Sequence, residues 1–431
     1  MAQRQEPAPR TGPRPLPVHL AAASSYYATC FSASMQLSAG SMGWSPALVE
    51  RAAQLARDLT QNAVEKGPES AGPESAHPAG NSPDSAFLAA LDHELRGRIG
   101  RMLAGIEKYR RHPYRRAVPP PSLLWAEGTT KVWDYRPFMA GRGAKVPVLL
   151  IPSLVNRAYI LDLDETKSLA RRLSRDGHPV FLVDWDAPGE IERSFDLGDY
   201  IARLRRAIGA VSGETGTPVA AVGYCMGGLL ALSAAMDCAD RVDALILMAT
   251  PWDFHADRAD HARAFGAILP ALEPILSRCG ELPLDVLQSF FAALDPMLAL
   301  KKFGAFSGRD MGSPGAVAFV ALEDWLNDGV PLSAPVAREC IGGWYGQNTP
   351  MRKTWRINGL PVDPARWTKP ALALIPADDR IVPPASAQGL VSQLPDCRVL
   401  TPPVGHIGMV TARGAPRAVW DPMRDFLAAL A

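Results

Sequence analysis

The stretch that decides the fold is Pro218-Val-Ala-Ala-Val-Gly223-Tyr224-Cys225-Met226-Gly227-Gly228-Leu-Leu-Ala-Leu232. A run of β-branched and small apolar residues breaks at Gly223 into a Gly- and Leu-rich helical pattern. This predicts a strand, a tight turn and a helix, with Cys225 at the apex. A residue at the tip of such a turn presses its neighbours two positions away against the sheet and the helix, which favours glycine at Gly223 and Gly227. Gly228 lets the helix approach closer still. The thiol then sits at a helix N-terminus, where the dipole and the free N–H groups favour a thiolate and can hold an oxyanion, with the Met226 N–H as one donor. Glycine on either side of a cysteine does not by itself mark a nucleophile, because cysteines are common in cores. Its partners decide.

Outward from this turn the pattern alternates. Strands are expected at Thr130–Tyr135, Val146–Ile151, Val180–Val183, Val242–Ala249, Pro370–Ile375 and Arg398–Leu400. Helices are expected at Ser168–Leu173, Leu197–Val211 and Ala385–Leu394, and Ala415–Leu430 closes the chain. Such alternation implies an α/β fold, a mostly parallel sheet with helices on both faces joined by right-handed crossovers, which collects ligands at the carboxyl ends of its strands. Residues 252–365 break the rhythm, with helices expected at Phe265–Leu276, Leu284–Leu294 and Ala316–Leu326. A block inserted between two sheet strands fits a helical cap, and its aromatics, among them Phe290, Phe291, Trp325 and Trp344, read mostly as the core of that block.

The core is thus expected over residues 130–251 and 366–431, with a helical lead-in over 85–129. Residues 1–84 form an extension. Its first 17 residues, rich in Pro and Arg, read as disordered, a short helix is expected over 45–61, and Gly67-Pro-Glu-Ser-Ala71 repeats at once as Gly72–Ala76 in a linker. In the lead-in, Phe87, Leu88, Leu91, Leu95, Ile99, Leu103 and Ile106 recur at helical spacing. Eight Lys and Arg between Arg96 and Arg116 read as a solvated face, with contact to an anionic cofactor's phosphates as the rival.

A cysteine nucleophile needs a base, and the base needs an orienting carboxylate. His406 and Asp379 each follow a predicted strand and so stand on the same rim as the turn, in the order nucleophile, acid, histidine. Of the eight histidines, only His406 has such a place; His255 and His261, near the junction with the insertion, are minor candidates. Asp378 rivals Asp379; the D-x-x-V-P spacing favours Asp379, but sequence does not separate two adjacent acids. The second oxyanion donor is expected from the loop after the Val146–Ile151 strand, at Leu154 or Val155, with Ser153 an ordinary turn residue.

With 431 residues and a formal net charge of +1 the chain can bury a large core, and it lacks the basic excess of a nucleic-acid binder. Its 6 cysteines form no C-x-x-C pair and no metal-ligand spacing, which suits reduced thiols in a cytoplasm and no metal. No stretch reads as a membrane span. The uncharged Leu20–Val49 follows three arginines but lacks the compact apolar centre of a signal peptide, and is expected to pack on a surface or face a particle.

The ordered blocks Pro152–Asp162, Val183-Asp-Trp185, Asp196–Tyr200, Gly223–Gly228, Ala249–Phe254, Glu323–Asp328, Asp379–Pro383 and Gly405–Gly408 resemble the polyhydroxyalkanoate synthases, closest to the catalytic subunit of the two-component class III enzymes. The resemblance spans about residues 105–430 and implies an α/β-hydrolase fold with a cap. It also implies an acyltransferase that polymerises 3-hydroxyacyl-CoA with release of CoA and needs no cofactor beyond that thioester substrate. By position, Cys225 would carry the growing chain as a thioester, His406 would deprotonate it, and Asp379 would orient His406 or activate the incoming hydroxyl. A polyester granule surface in the cytoplasm, and a second synthase subunit or a homodimer, follow as expected partners. The chain departs from the family at Leu154, where an aromatic is usual, and at Asp186-Ala187, where a Gly and a bulky residue are commoner. The alternatives are a thioester or polyester hydrolase of the same fold and a non-catalytic granule-associated homologue.

Overall fold

The computed structural model describes residues 10–38, 83–141 and 145–430, with residues 45–47, 49–51, 53, 54, 57 and 58 between them. The expected repeat linker lies outside the described residues, as does much of the expected helix over 45–61. The chain divides into two compact units, residues 114–287 with 321–431, and residues 1–113 with 288–320. The division cuts across the inserted block, whose middle, 288–320, groups with the N-terminal segment.

The larger unit is built on one sheet of β1 (Ser122–Glu127), β2 (Thr130–Asp134), β3 (Val148–Ile151), β4 (Val180–Asp184), β5 (Val219–Tyr224), β6 (Val242–Met248), β7 (Ala371–Leu374) and β8 (Cys397–Leu400), in the order β1-β2-β4-β3-β5-β6-β7-β8. From β4 to β8 every pair is parallel, while β2 pairs antiparallel with β1 and with β4. The central strands Val-Leu-Leu-Ile (β3), Val-Ala-Ala-Val-Gly-Tyr (β5) and Ala-Leu-Ala-Leu (β7) are buried at every residue. Continuous apolar runs of this kind belong to a sheet covered on both faces. Around the sheet pack α1 (Leu169–Arg175), α2 (Leu197–Thr215), α3 (Met226–Asp237), α4 (Pro384–Val391) and α5 (Asp421–Ala428). Asp196 starts α2 with a reciprocal capping box to Asp199, and Gly216 ends it in the left-handed region at φ 71°.

Three expectations need correction. Residues 85–129 are not helical throughout, because Gly128 at φ 56° allows a tight hairpin that pairs Glu127 with Thr130 and sets β1 on the sheet edge. The single helix expected over Phe265–Leu276 is two, Ala259–Gly266 and Leu269–Cys279, because Pro270 suits a first helical turn but not a helix interior. Residues 10–17, expected to be disordered, are tied down: Arg110 Nη2 donates to Thr11 O at 2.6 Å and Arg10 Nη1 to His112 O at 2.5 Å, and a helix already begins at Leu16.

In the smaller unit that helix, Leu16–Ser38, accompanies the long helix Pro83–Arg111 and the helix Leu298–Ser307. Gly105 makes the last contact intimate, since a Cβ there would overlap the Phe303 carbonyl. The basic face behaves as a solvated one: Arg96, Arg98 and Arg111 pair with Asp92, Glu94 and Glu107 one turn away. Among the described residues no helix is long and apolar enough to cross a membrane.

Candidate active site

Cys225 stands between β5 and α3 with φ 56° and ψ −127°, a backbone conformation that costs an L-residue strain and persists only where the surroundings impose it. Three contacts impose it. The Cys225 N–H donates to Met248 O at 2.8 Å, the Gly228 N–H donates to Cys225 O at 2.9 Å, and the glycines leave no room for alternatives. A Cβ on Gly227 would overlap Ile151 O, one on Gly223 would overlap Gly228, and one on Gly228 would overlap the Thr250 side chain. The sharp turn read from Gly223 and Gly227 is therefore enforced by backbone packed on backbone.

His406 Nδ1 and Asp379 Oδ2 are 2.7 Å apart, with the Asp379 side chain fully buried. Asp379 Oδ1 accepts the N–H groups of Ile381 and Val382, both at 2.8 Å, so the turn that follows β7 fixes the carboxylate before it meets the imidazole. Of the two adjacent acids, Asp379 holds His406, while Asp378 is exposed. Burial is the largest single influence on His406 and disfavours its charge. The charge of Cys225, the hydrogen bonds that Asp379 and Cys225 accept and the Asp379 charge outweigh it, and the imidazole is pushed up to about 10. Asp379 and His406 thus pair on the carboxyl rim of the sheet, the rim on which the turn carries Cys225.

The oxyanion side is set by the loop after β3. Ser153 Oγ accepts the Val155 N–H at 3.3 Å, an ordinary Ser turn. Of the two expected donors, Leu154 and Val155, the Val155 N–H is thus engaged within its own turn. His255 Nε2 lies 2.7 Å from the Tyr345 carbonyl. His261 is exposed on the helix Ala259–Gly266.

Two neighbours escaped the sequence reading. Tyr224, one residue before the cysteine, stacks on His406 with ring centroids 5.3 Å apart and donates its hydroxyl to His406 O at 3.2 Å. Its place in the motif could have suggested it. Tyr345 lies in the π-helical turn Glu339–Gly346, its ring edge-on to those of Phe254 and Phe265. No periodicity announces such a turn. Among the described residues no group of three or more His, Cys, Asp or Glu is placed to hold a metal ion.

Comparison with known proteins agrees with this architecture. The family model for the α/β hydrolase fold matches residues 146–271. The chain is 27% identical over 327 residues to a poly(3-hydroxyalkanoate) polymerase subunit of Haloarcula marismortui, covering 71% of this chain and 67% of that one. It is 28% identical to the subunit of that name in Synechocystis, covering 67% and 79%, and 27% identical to that of Allochromatium vinosum, covering 70% and 86%. The mostly parallel sheet with helices around it is the fold that the family model describes. The chain is an α/β-hydrolase-fold protein and a homologue of the poly(3-hydroxyalkanoate) polymerases.

Proposed function

We propose that the chain is an acyltransferase of the polyhydroxyalkanoate synthase type, which polymerises 3-hydroxyacyl-CoA and releases CoA through a covalent thioester on Cys225. The observation that carries this reading is the series from Cys225 at the strained turn, through an imidazole pushed up to about 10, to a buried carboxylate 2.7 Å from that imidazole. In the first step the Cys225 thiolate attacks the thioester carbonyl, the Leu154 and Met226 N–H groups receive the oxyanion, and the C–S bond to CoA breaks. The departing CoA sulfur takes the proton from His406. In the second step the 3-hydroxyl of the next unit attacks the acyl group on Cys225 and yields its proton to His406. A new ester forms and the Cys225 thiolate returns.

Cysteine suits this cycle. Exchange between two thioesters is nearly balanced in energy, and the acyl-enzyme stays reactive toward an alcohol. Exclusion of water decides whether the acceptor is an alcohol or a hydroxide, and hence synthase or hydrolase. The same reading carries a cytoplasmic polyester granule surface as its setting and a second synthase subunit or a homodimer as its assembly.

The test is to incubate the purified chain with 3-hydroxybutyryl-CoA, follow thiol release and identify the acyl product. Release with polymer, abolished by Cys225→Ala, is the expected result. Release as free 3-hydroxybutyrate replaces the synthase with a hydrolase. No release with short or long acyl chains, with or without a candidate second subunit, refutes the enzyme.

A further inference from the structure

Just beyond the end of β4, Asp186 adopts φ 56°, a left-handed conformation that costs a non-glycine residue about 1–2 kcal/mol. Its carboxylate is fully engaged. Oδ1 accepts the Ala187 N–H at 2.7 Å and the Arg157 Nη1–H, and Oδ2 faces Lys131 Nζ at 3.2 Å. Arg157 closes the loop Pro152–Arg157, the loop that holds Leu154. Its Nε reaches Asp328 Oδ1 at 3.4 Å and its carbonyl accepts the Trp325 Nε1–H at 2.8 Å. At the other end of the same loop, Trp185, next to Asp186, donates Nε1–H to Pro152 O at 3.0 Å. Consecutive residues after β4 therefore grip both ends of the six-residue segment between them.

Stability does not account for an aspartate here. With side chains 27% and 35% exposed, the Arg157–Asp186 pair is of the kind worth about 0–1 kcal/mol, no more than the strain it accompanies. We propose that Asp186 is a positioning residue: by fixing Arg157 it holds the Leu154 N–H where the oxyanion forms, and so sets the rate at which a thioester acylates Cys225. This rests on the acyl-transfer reading of Cys225 and deepens it. Burial works against the ionised Asp186, but the hydrogen bonds from Ala187, Arg157 and Lys131 hold its carboxyl below the usual range, so the clamp stays charged at neutral pH.

The test compares two reactions of Cys225 in the full chain. Acylation by a 3-hydroxyacyl-CoA passes through an oxyanion; alkylation by iodoacetamide does not. Asp186→Gly and Asp186→Asn both tolerate the left-handed backbone and remove the charge. Both are expected to lower the acylation rate about tenfold or more, to leave alkylation within about twofold, and to leave Tm unchanged or, for D186G, raised. Arg157→Gln combined with D186N is expected to lose no more than the larger single variant, because the two residues act as one unit. Wild-type acylation in D186G overturns the inference alone, as does an equal fall in both reactions, which would mean that the turn itself has shifted. A wild-type chain that is alkylated but takes an acyl group from no thioester overturns the acyl-transfer reading, and this inference with it.

Discussion

Replacing Asp379 with Asn exchanges one buried carboxylate oxygen for an NH2 group at nearly constant shape. The remaining oxygen would keep the two N–H groups of Ile381 and Val382, now at 2.8 Å. The NH2 would then face His406 Nδ1 across the present 2.7 Å. Because an NH2 can only donate, Nδ1 must lose its proton and the other ring nitrogen must carry it. The ring then cannot stand as the imidazolium that pairs with the Cys225 thiolate, and its neutral form offers the wrong nitrogen to the incoming hydroxyl. In a serine triad this inversion costs about 10⁴ in kcat. A thiol leans less on its base, because a few per cent is thiolate near neutrality, so about 10²–10³ is expected here.

The imidazolium also loses one of the partners that hold it up at about 10, leaving burial less opposed, so its pKa falls in D379N. The assay is single-turnover acylation by 3-hydroxybutyryl-CoA across pH, beside iodoacetamide alkylation and with Asp378→Asn as control. D378N should match the wild type. Acylation by D379N within about threefold of the wild type, or loss of acylation in D378N instead, refutes the assigned chain of groups.

Further outcomes are expected. His406 titrates at about 10 in the fold against about 6.5 unfolded, so its contribution to stability is fully present below about pH 6.5 and is lost as pH rises through about 10; thermal melts between pH 6 and 11 should fall more steeply for the wild type than for His406→Gln. Glu339 is raised to about 7, chiefly by burial, while the Trp355 N–H, 2.6 Å from Oε1, lowers it and the Asp196 charge adds to the rise. A raised carboxyl favours the fold below about pH 4.5 and loses that advantage as pH climbs through 7, so Glu339→Gln should raise Tm by a few degrees at pH 8 and leave it unchanged at pH 4. Gly227→Ala should abolish acylation and lower Tm by roughly 5 °C or more, because its Cβ overlaps Ile151 O and falls 2.8 Å from Pro152 O. Asp162, 1% exposed, meets Arg171 Nε at 2.6 Å and the Tyr135 hydroxyl at 3.0 Å; Asp162→Ala strands a buried guanidinium and should cost about 3–5 kcal/mol in urea unfolding.

What could be read beforehand was whatever a short segment determines by itself. Apolar runs between turn residues located the central strands. The glycines around Cys225 located the turn, because the steric rule there is local. His406 and Asp379 were legible because each follows a strand, and strand ends converge on one rim in any parallel sheet. Asp378 and Asp379 could not be separated, since the difference lies in which one turns inward to meet the Ile381 and Val382 N–H groups, and neighbours in sequence share every local signal. The helix Leu16–Ser38 is rich in Ser and Ala and shows little amphipathic contrast, so its partners are tertiary. The π-helical turn with Tyr345 and the grouping of residues 288–320 with the N-terminal segment depend likewise on contacts distant in sequence. The left-handed Asp186 shows the same limit: the residue stood out in sequence, its backbone conformation did not.

Tyr224 gives the catalytic rim a mechanical property. Its backbone belongs to β5 and leads directly into Cys225, while its ring and hydroxyl hold the ring and carbonyl of His406. Nucleophile and base therefore hang from adjacent residues of one strand, like two jaws mounted on a single bar. A displacement at the end of β5 carries both together, and the gap that the proton crosses is preserved.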